Sequence, residues 1–308
     1  MTRFNSPLRY PGGKGKLSSY IELIIEQNLL SDGHYVEPYA GGASVALSLL
    51  YSEHVRSIHI NDYDPRIYAF WDSIINETDS FCKKIEKTKI SITNWKRQKH
   101  IQNNLEKFSN FEIGFSTFFL NRTNRSGILK AGVIGGLSQL GNWKIDARFN
   151  KDDLIKRIER IARYKSRIHI YNLDAIELLN KIKKTIPKKS LIYFDPPYYK
   201  KGKDLYINFY EHKDHLEIAK VISKLKNQNW IVSYDNNLEI SKMYDKFYQR
   251  TYNLNYHAAS PSIGTEVMIF SEDLIIPDID QPTNKSELKK FKEFGLRKKW
   301  LKTKKICA

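Results

Sequence analysis

Asp195, Pro196, Pro197 and Tyr198 put a carboxylate, two imino acids and an aromatic ring in consecutive positions. They follow the apolar run Leu191-Ile192-Tyr193-Phe194 and precede the basic loop Lys200-Lys201-Gly202-Lys203. Proline fixes φ and removes the backbone N–H, so carbonyl oxygens there can face a pocket without a competing donor. A carboxylate and one such carbonyl can accept both hydrogens of an exocyclic NH2. A tyrosine ring can stack on the heterocycle that carries the amine. The predicted chemistry is on a planar amine at the carboxyl end of a buried strand. Prolines also simply end strands, so the tetrapeptide has to be weighed with its context.

That context begins at Tyr35-Val36-Glu37-Pro38-Tyr39-Ala40-Gly41-Gly42-Ala43-Ser44, which reads as strand, glycine turn and helix. Glycines let backbone approach a ligand closely, and the helix N-terminus beyond them offers unpaired N–H groups. A second strand, 55–60, ends in Asn61-Asp62, with Asp62 20 residues after Gly42. An acidic residue at that spacing reaches ribose hydroxyls in nucleotide-binding βαβ units. An Asx turn or helix cap ahead of Pro65 would use the same side chain. Near the start, Tyr10-Pro11-Gly12-Gly13-Lys14 reads as a turn that holds Tyr10 and Lys14 beside a ligand. A phosphate-loop NTPase is rejected, because Leu17 stands where the motif needs its second glycine.

Taken together, these segments resemble the Dam-like, class-alpha N6-adenine DNA methyltransferases. The likeness rests on Tyr10 to Lys14, Glu37 to Ser44, Asn61-Asp62, the stretch Phe119-Leu120-Asn121-Arg122-Thr123-Asn124 and Asp195 to Tyr198, in that order, over roughly residues 5 to 272. It implies a Rossmann-like fold, S-adenosylmethionine as methyl donor and double-stranded DNA as substrate. A separate cognate restriction endonuclease is the partner that a restriction–modification role would bring. Two departures stand out. Ala43 replaces a glycine common in relatives, and Gly135 to Trp143 replaces the Phe-Asn-Val-Pro stretch of GATC readers, so GATC is not the expected target.

The resemblance implies roles residue by residue. Asp195 and the Pro196 carbonyl, followed by Pro197, would hold the N6 amine, and Tyr198 would stack on a flipped adenine. Tyr10, Gly13, Lys14, Glu37, Pro38, Tyr39, Gly41, Gly42, Asp62, Asp174 and Asp195 would form the cofactor site. Asp174 equally suits a helix N-cap. Asn121, Arg122, Asn124, Arg125 and Lys130 would read bases or touch phosphates. A cytosine-C5 mechanism is excluded, since neither Cys82 nor Cys307 follows proline. His212 and His215 suggest a polar cluster at a helix start rather than a metal site. An RNA N6-adenine methyltransferase would share the same core, and a non-catalytic nucleic-acid-binding protein of this fold is the further rival.

The elements that must position these groups alternate. Helices are expected at 15–30, 64–76, 151–164, 174–184 and 211–227, a strand, loop and helix in succession over 34–51, and strands at 55–60, 167–171, 190–195 and 229–234. A final strand pair falls near 246–256 and 265–271. The expected architecture is a doubly wound α/β sheet. A catalytic domain of residues 1–76 and 151–275 would be interrupted by a mainly helical target-recognition insert at 77–150 and followed by a basic tail at 276–308. The net charge is +17, and residues 281–308 hold ten basic side chains against Glu287 and Glu293. Such charge suits a polyanion. The tail reads either as a solvated end or as a basic amphipathic helix on DNA phosphates, with 278–282 as its linker. No apolar run approaches the ~18 residues of a membrane span, and two cysteines make no framework. A cytoplasmic, reduced, metal-free enzyme is expected; its oligomeric state is left open.

Overall fold

The computed structural model describes residues 5–10, 13–199, 210–256 and 262–293. Pro11 and Gly12, the basic loop 200–203 and the tail beyond 293 lie outside the described residues.

Seven strands form one sheet in the order β3-β2-β1-β4-β5-β7-β6. They are β1 Gly33–Glu37, β2 Val55–Asn61, β3 Ile168–Tyr171, β4 Ser190–Phe194, β5 Asn229–Asp235, β6 Tyr248–Tyr256 and β7 Ser262–Phe270. The first five run parallel, while β7 enters antiparallel between β5 and β6. β4 is buried along its whole length. An all-apolar run is what a strand covered on both faces requires.

One face carries α1 Ser18–Gln27, α2 Ser44–Tyr51, α3 Pro65–Asn76 and α7 Lys151–Ala162. The other carries α8 Ala175–Ile182, α9 His212–Ile222 and α10 Leu238–Met243. Helix starts follow their caps. Asp64 accepts from the Arg66 amide at 3.0 Å with Pro65 at the first helical position, and Asp174 accepts from the Ile176 amide at 2.8 Å.

The expected 77–150 insert is not a module with its own core. Its helices α4 Thr78–Lys87, α5 Ile92–Gln102 and α6 Asn110–Thr123 close over α3 and α7. Phe81, Phe115, Phe118 and Phe149 join Phe70 in the same apolar cluster as the sheet's helices. Gly114 allows this approach: a Cβ there would sit 2.4 Å from the Ala69 carbonyl oxygen. The tail also departs from expectation at its start. Residues 285–293 are helical, Leu288 is buried, Phe291 packs on the core, and Lys292 reaches Glu22 at 3.5 Å. That stretch spends its apolar face on α1 rather than presenting it to DNA. The supposed linker is anchored too, because Arg250 donates to the carbonyls of Pro277 and Ile279, both at 2.8 Å.

Candidate active site

A cleft of about 510 Å³ opens at the carboxyl ends of β1, β2 and β4. The chain leaves β1 toward β2 on one side and returns to β4 on the other, so this is the switch point where open α/β sheets bind ligands.

The glycine turn forms one wall. Gly41 has φ +47°, and a Cβ on it would lie 2.6 Å from the Tyr10 ring. Both facts require glycine there. Asp62 accepts from the Gly41 amide at 3.0 Å and from the Asp64 amide at 2.9 Å, so it fastens the turn while facing the cleft. Burial, helped by Asp64, pushes its carboxyl up to about 7. Glu37 accepts from the Ala46 amide at 3.1 Å, and burial pushes it up to about 8. Asn61 ties the strand ends together, donating to the carbonyls of Pro38 and Leu173 and accepting from the Leu173 amide. Tyr39, also on this wall, meets Tyr210 hydroxyl to hydroxyl at 2.9 Å. Gly13, Pro38, Gly42 and Asp174 line the cleft as well. Asp174 realises its capping alternative, through a capping box with Glu177.

The opposite wall holds a buried ionic cluster. Lys14 Nζ lies 3.0 Å from Asp195 Oδ1, 3.1 Å from Glu266 Oε1 and 3.1 Å from the Tyr198 hydroxyl. Tyr198 donates to Glu266 at 2.7 Å, and Tyr252 donates to its second oxygen. Ser233 donates to Asp195 Oδ1 at 2.8 Å and receives from Tyr193 at 2.9 Å. Burial disfavours the Lys14 ammonium, but Asp195 and Glu266 outweigh it and hold Lys14 well above its ordinary range. Burial raises the Asp195 carboxyl while Lys14 pulls it down, and the net direction is upward.

The structure corrects several expected roles. Tyr198 is only 3% exposed and spends its hydroxyl in the cluster, so its ring is not a stacking surface on the cleft. Asn121 is buried at the edge of the cleft, where it brackets Arg9, accepting from the Arg9 amide and donating to its carbonyl, both at 2.7 Å, and also reaches the Gly127 carbonyl. Asn124 is fully buried, receives from Trp95 and bonds the carbonyls of Ile128 and Leu129. Arg122 donates to the Arg148 carbonyl; burial, then the charges of Arg157 and Arg9, push it down to about 9. These three hold the loop that follows α6 rather than facing DNA. Arg125 and Lys130 are exposed, and Lys130 borders the cleft. His215 is buried against the Tyr234 hydroxyl, and His212 meets Tyr199. Glu266, Ser233 and Tyr252 escaped the sequence reading. The one signal was a lone carboxylate before Val267-Met268-Ile269-Phe270.

A mostly parallel sheet with an antiparallel β7, and a DPPY at the end of β4, define a Rossmann-like methyltransferase. The chain belongs to the D12 class N6 adenine-specific DNA methyltransferase family, whose model matches residues 10–258. The Type II methyltransferase M.MjaIII of Methanocaldococcus jannaschii is 22% identical over 262 residues, covering 78% of this chain and 88% of that protein. The crystal structure of a Pyrococcus horikoshii protein described as a candidate RNA methyltransferase has a TM-score of 0.39 and 9% identity, covering 86% of each chain. The activity is that of an adenine-specific DNA methyltransferase, and the family implies a donor of the S-adenosylmethionine type.

Proposed function

We propose that the cleft binds S-adenosylmethionine and that the enzyme methylates N6 of an adenine flipped out of double-stranded DNA, as a restriction–modification or orphan enzyme. The residues fit this donor. Gly42 brings bare backbone to the cleft while Gly41 packs under Tyr10, and Asp62 and Asp174 offer acceptors for hydroxyl and amine groups at two strand ends. When bound, the donor supplies a methyl on a sulfonium, a leaving group reactive enough that no covalent enzyme intermediate is needed; positioning does the work. The carrying observation is the setting of Asp195. Among the described residues, both of its side-chain bonds fall on Oδ1, from Lys14 and Ser233, and its side chain is 23% exposed beside the cleft. Oδ2 is therefore the oxygen for one N6 hydrogen, and the Pro196 carbonyl takes the other. Lys14 favours the ionised carboxylate against the burial that raises it, and the buried Tyr193–Ser233 chain fixes its rotation.

Asp195→Ala should cut methyl incorporation into duplex DNA by at least ~100-fold, the scale of losing a charge-assisted acceptor in the transition state. Cofactor binding should weaken far less. Turnover within tenfold of the native enzyme would remove Asp195 from this role.

A further inference from the structure

The turns at the pole opposite the cleft, where the parallel strands begin, carry a dense positive charge. Lys183, Lys184, Lys188 and Lys189 fall between the end of α8 and the start of β4, and Lys224 and Lys226 between the end of α9 and the start of β5. All six are exposed. The two turns are neighbours. β4 pairs with β5 so that Leu191 stands opposite Asn229, and the Asn229 side chain donates to the Ser190 carbonyl at 3.4 Å. Both turns are held internally. The Thr185 and Ile186 amides donate to the Ile182 carbonyl at 2.9 and 3.0 Å, and the Leu225 amide donates to the Ile222 carbonyl at 2.9 Å. The Ser190 hydroxyl donates to the Pro187 carbonyl at 2.6 Å, and buried Ile186 roots the first turn.

Nothing nearby matches this charge. Among the described residues none of the six lysines forms an ion pair, and Lys183 donates to the neutral Asn180 at 3.0 Å. Asp32, Glu272 and Asp273 stand on the adjoining turns, three carboxylates against six ammonium groups, while Asp245 and Lys246 cancel. The dipole at a helix C-terminus favours a lysine or two, not six across two turns. Like charges crowded in this way repel, and a bound polyanion removes that cost. Double-stranded DNA, with one negative charge per ~1.7 Å, is the polyanion on which this family works. Lys189 precedes Asp195 by six residues of nearly extended chain, which puts the patch ~20 Å from the reacting carboxylate. A duplex in the cleft stays stiff over ~150 bp and does not fold back to the far pole.

We propose that the turns 183–189 and 224–228 form a second, sequence-independent site for duplex DNA. One enzyme molecule then holds two segments at once, the one being methylated in the cleft and another at the far pole. Lysines suit this task, because compact charges on flexible stems contact phosphates without demanding one geometry. Holding a second segment keeps further target sites at high local concentration. The inference needs duplex DNA as the substrate and takes nothing from the base-flipping reading.

The test uses the full chain and two short duplexes, a donor-labelled one with the methylated site mapped in DNA from expressing cells and an acceptor-labelled one without it. The native enzyme should bring the two together, read as energy transfer that salt abolishes. Changing all six lysines to glutamine should cut that transfer by at least roughly fivefold, while methylation of the first duplex alone stays within about twofold of native. Changing the same six to arginine, which keeps the charge, should preserve the transfer. No energy transfer with the native enzyme, or transfer that survives the glutamine changes, overturns the second site. Equal loss in the glutamine and arginine sets overturns it as well, because charge would then not be the cause. A glutamine variant whose turnover falls as far as its energy transfer assigns these lysines to the duplex in the cleft, with the same consequence.

Discussion

A lysine ammonium 3.0 Å from Asp195 and 3.1 Å from Glu266 divides its charge between two carboxylates. Glu266 does not itself line the cleft, yet through Lys14 it sets how much of that charge the reacting carboxylate feels. Its negative charge is one of the influences raising Asp195. Glu266→Gln should therefore act twice. The Lys14 charge would then bear on Asp195 alone, making the whole carboxylate a poorer acceptor and lowering kcat by roughly tenfold, about 1.4 kcal/mol in the barrier. With one raising influence gone, the Asp195 pKa would fall. The acid limb of the kcat–pH profile, where Asp195 must be ionised, would move to lower pH. A profile that drops in height without moving along the pH axis would reduce Glu266 to a packing residue.

At the scale of elements, the acidic strand ends were readable because parallel strands bring their carboxyl ends to one side of the sheet, where ligands bind. Glu37, Asp62, Asp174 and Asp195 lie at or just past such ends and line the cleft. Helix α6 defeated the same reasoning. Asn121, Arg122 and Asn124 look like surface residues in sequence, but every residue from Gly114 to Thr123 is buried, because α6 is enclosed on all sides. Glu266 was hidden differently. A carboxylate in a strand facing its antiparallel neighbour reads as an edge residue until Lys14, 252 positions away, is placed against it. The glycine turn carries a legible strain. Ala43, where relatives have glycine, sits at φ +46°, ψ +37°, just before α2. A left-handed conformation costs an L-residue ~1–2 kcal/mol, partly offset by the entropy glycine loses on folding. Ala43→Gly should raise stability by up to about 1 kcal/mol, read as a higher urea midpoint at constant m. A lower midpoint would mean that the methyl group's buried packing outweighs the backbone strain.

For the whole molecule, the groups that burial has shifted make stability two-sided in pH. His34, His59 and His169 stack across β1, β2 and β3, with His34 bonded to His59 at 2.9 Å and His59 to the Tyr171 hydroxyl at 3.0 Å. Burial first, and for His34 and His59 the neighbouring imidazoles, push all three down, His59 to about 3. A depressed histidine favours folding while neutral. Its contribution is complete above an unfolded pKa of ~6.5 and is lost as pH falls toward the folded value. Glu37 works in the opposite direction. Raised to about 8 by burial, it favours folding while protonated, and its contribution fades as pH climbs from ~4.3 to 8. Asp62, raised to about 7 by burial, works with Glu37, and His215, lowered to about 4 by burial, works with the other histidines. Below ~6.5 the four histidines outnumber these two carboxyls, so acid still destabilises. Above ~7 the histidines and Asp62 are silent and Glu37 carries the decline, by at most ~1.4 kcal/mol per pH unit. Unfolding free energy measured by denaturant titration should peak near pH ~6.5 and fall by roughly 1–2 kcal/mol on the way to pH 8. Glu37→Gln, which keeps a neutral group at the Ala46 amide, should flatten that upper limb while leaving the acid limb in place. A native curve that rises steadily from pH 6 to 9, or a Gln variant that keeps the decline, would take Glu37 out of the balance.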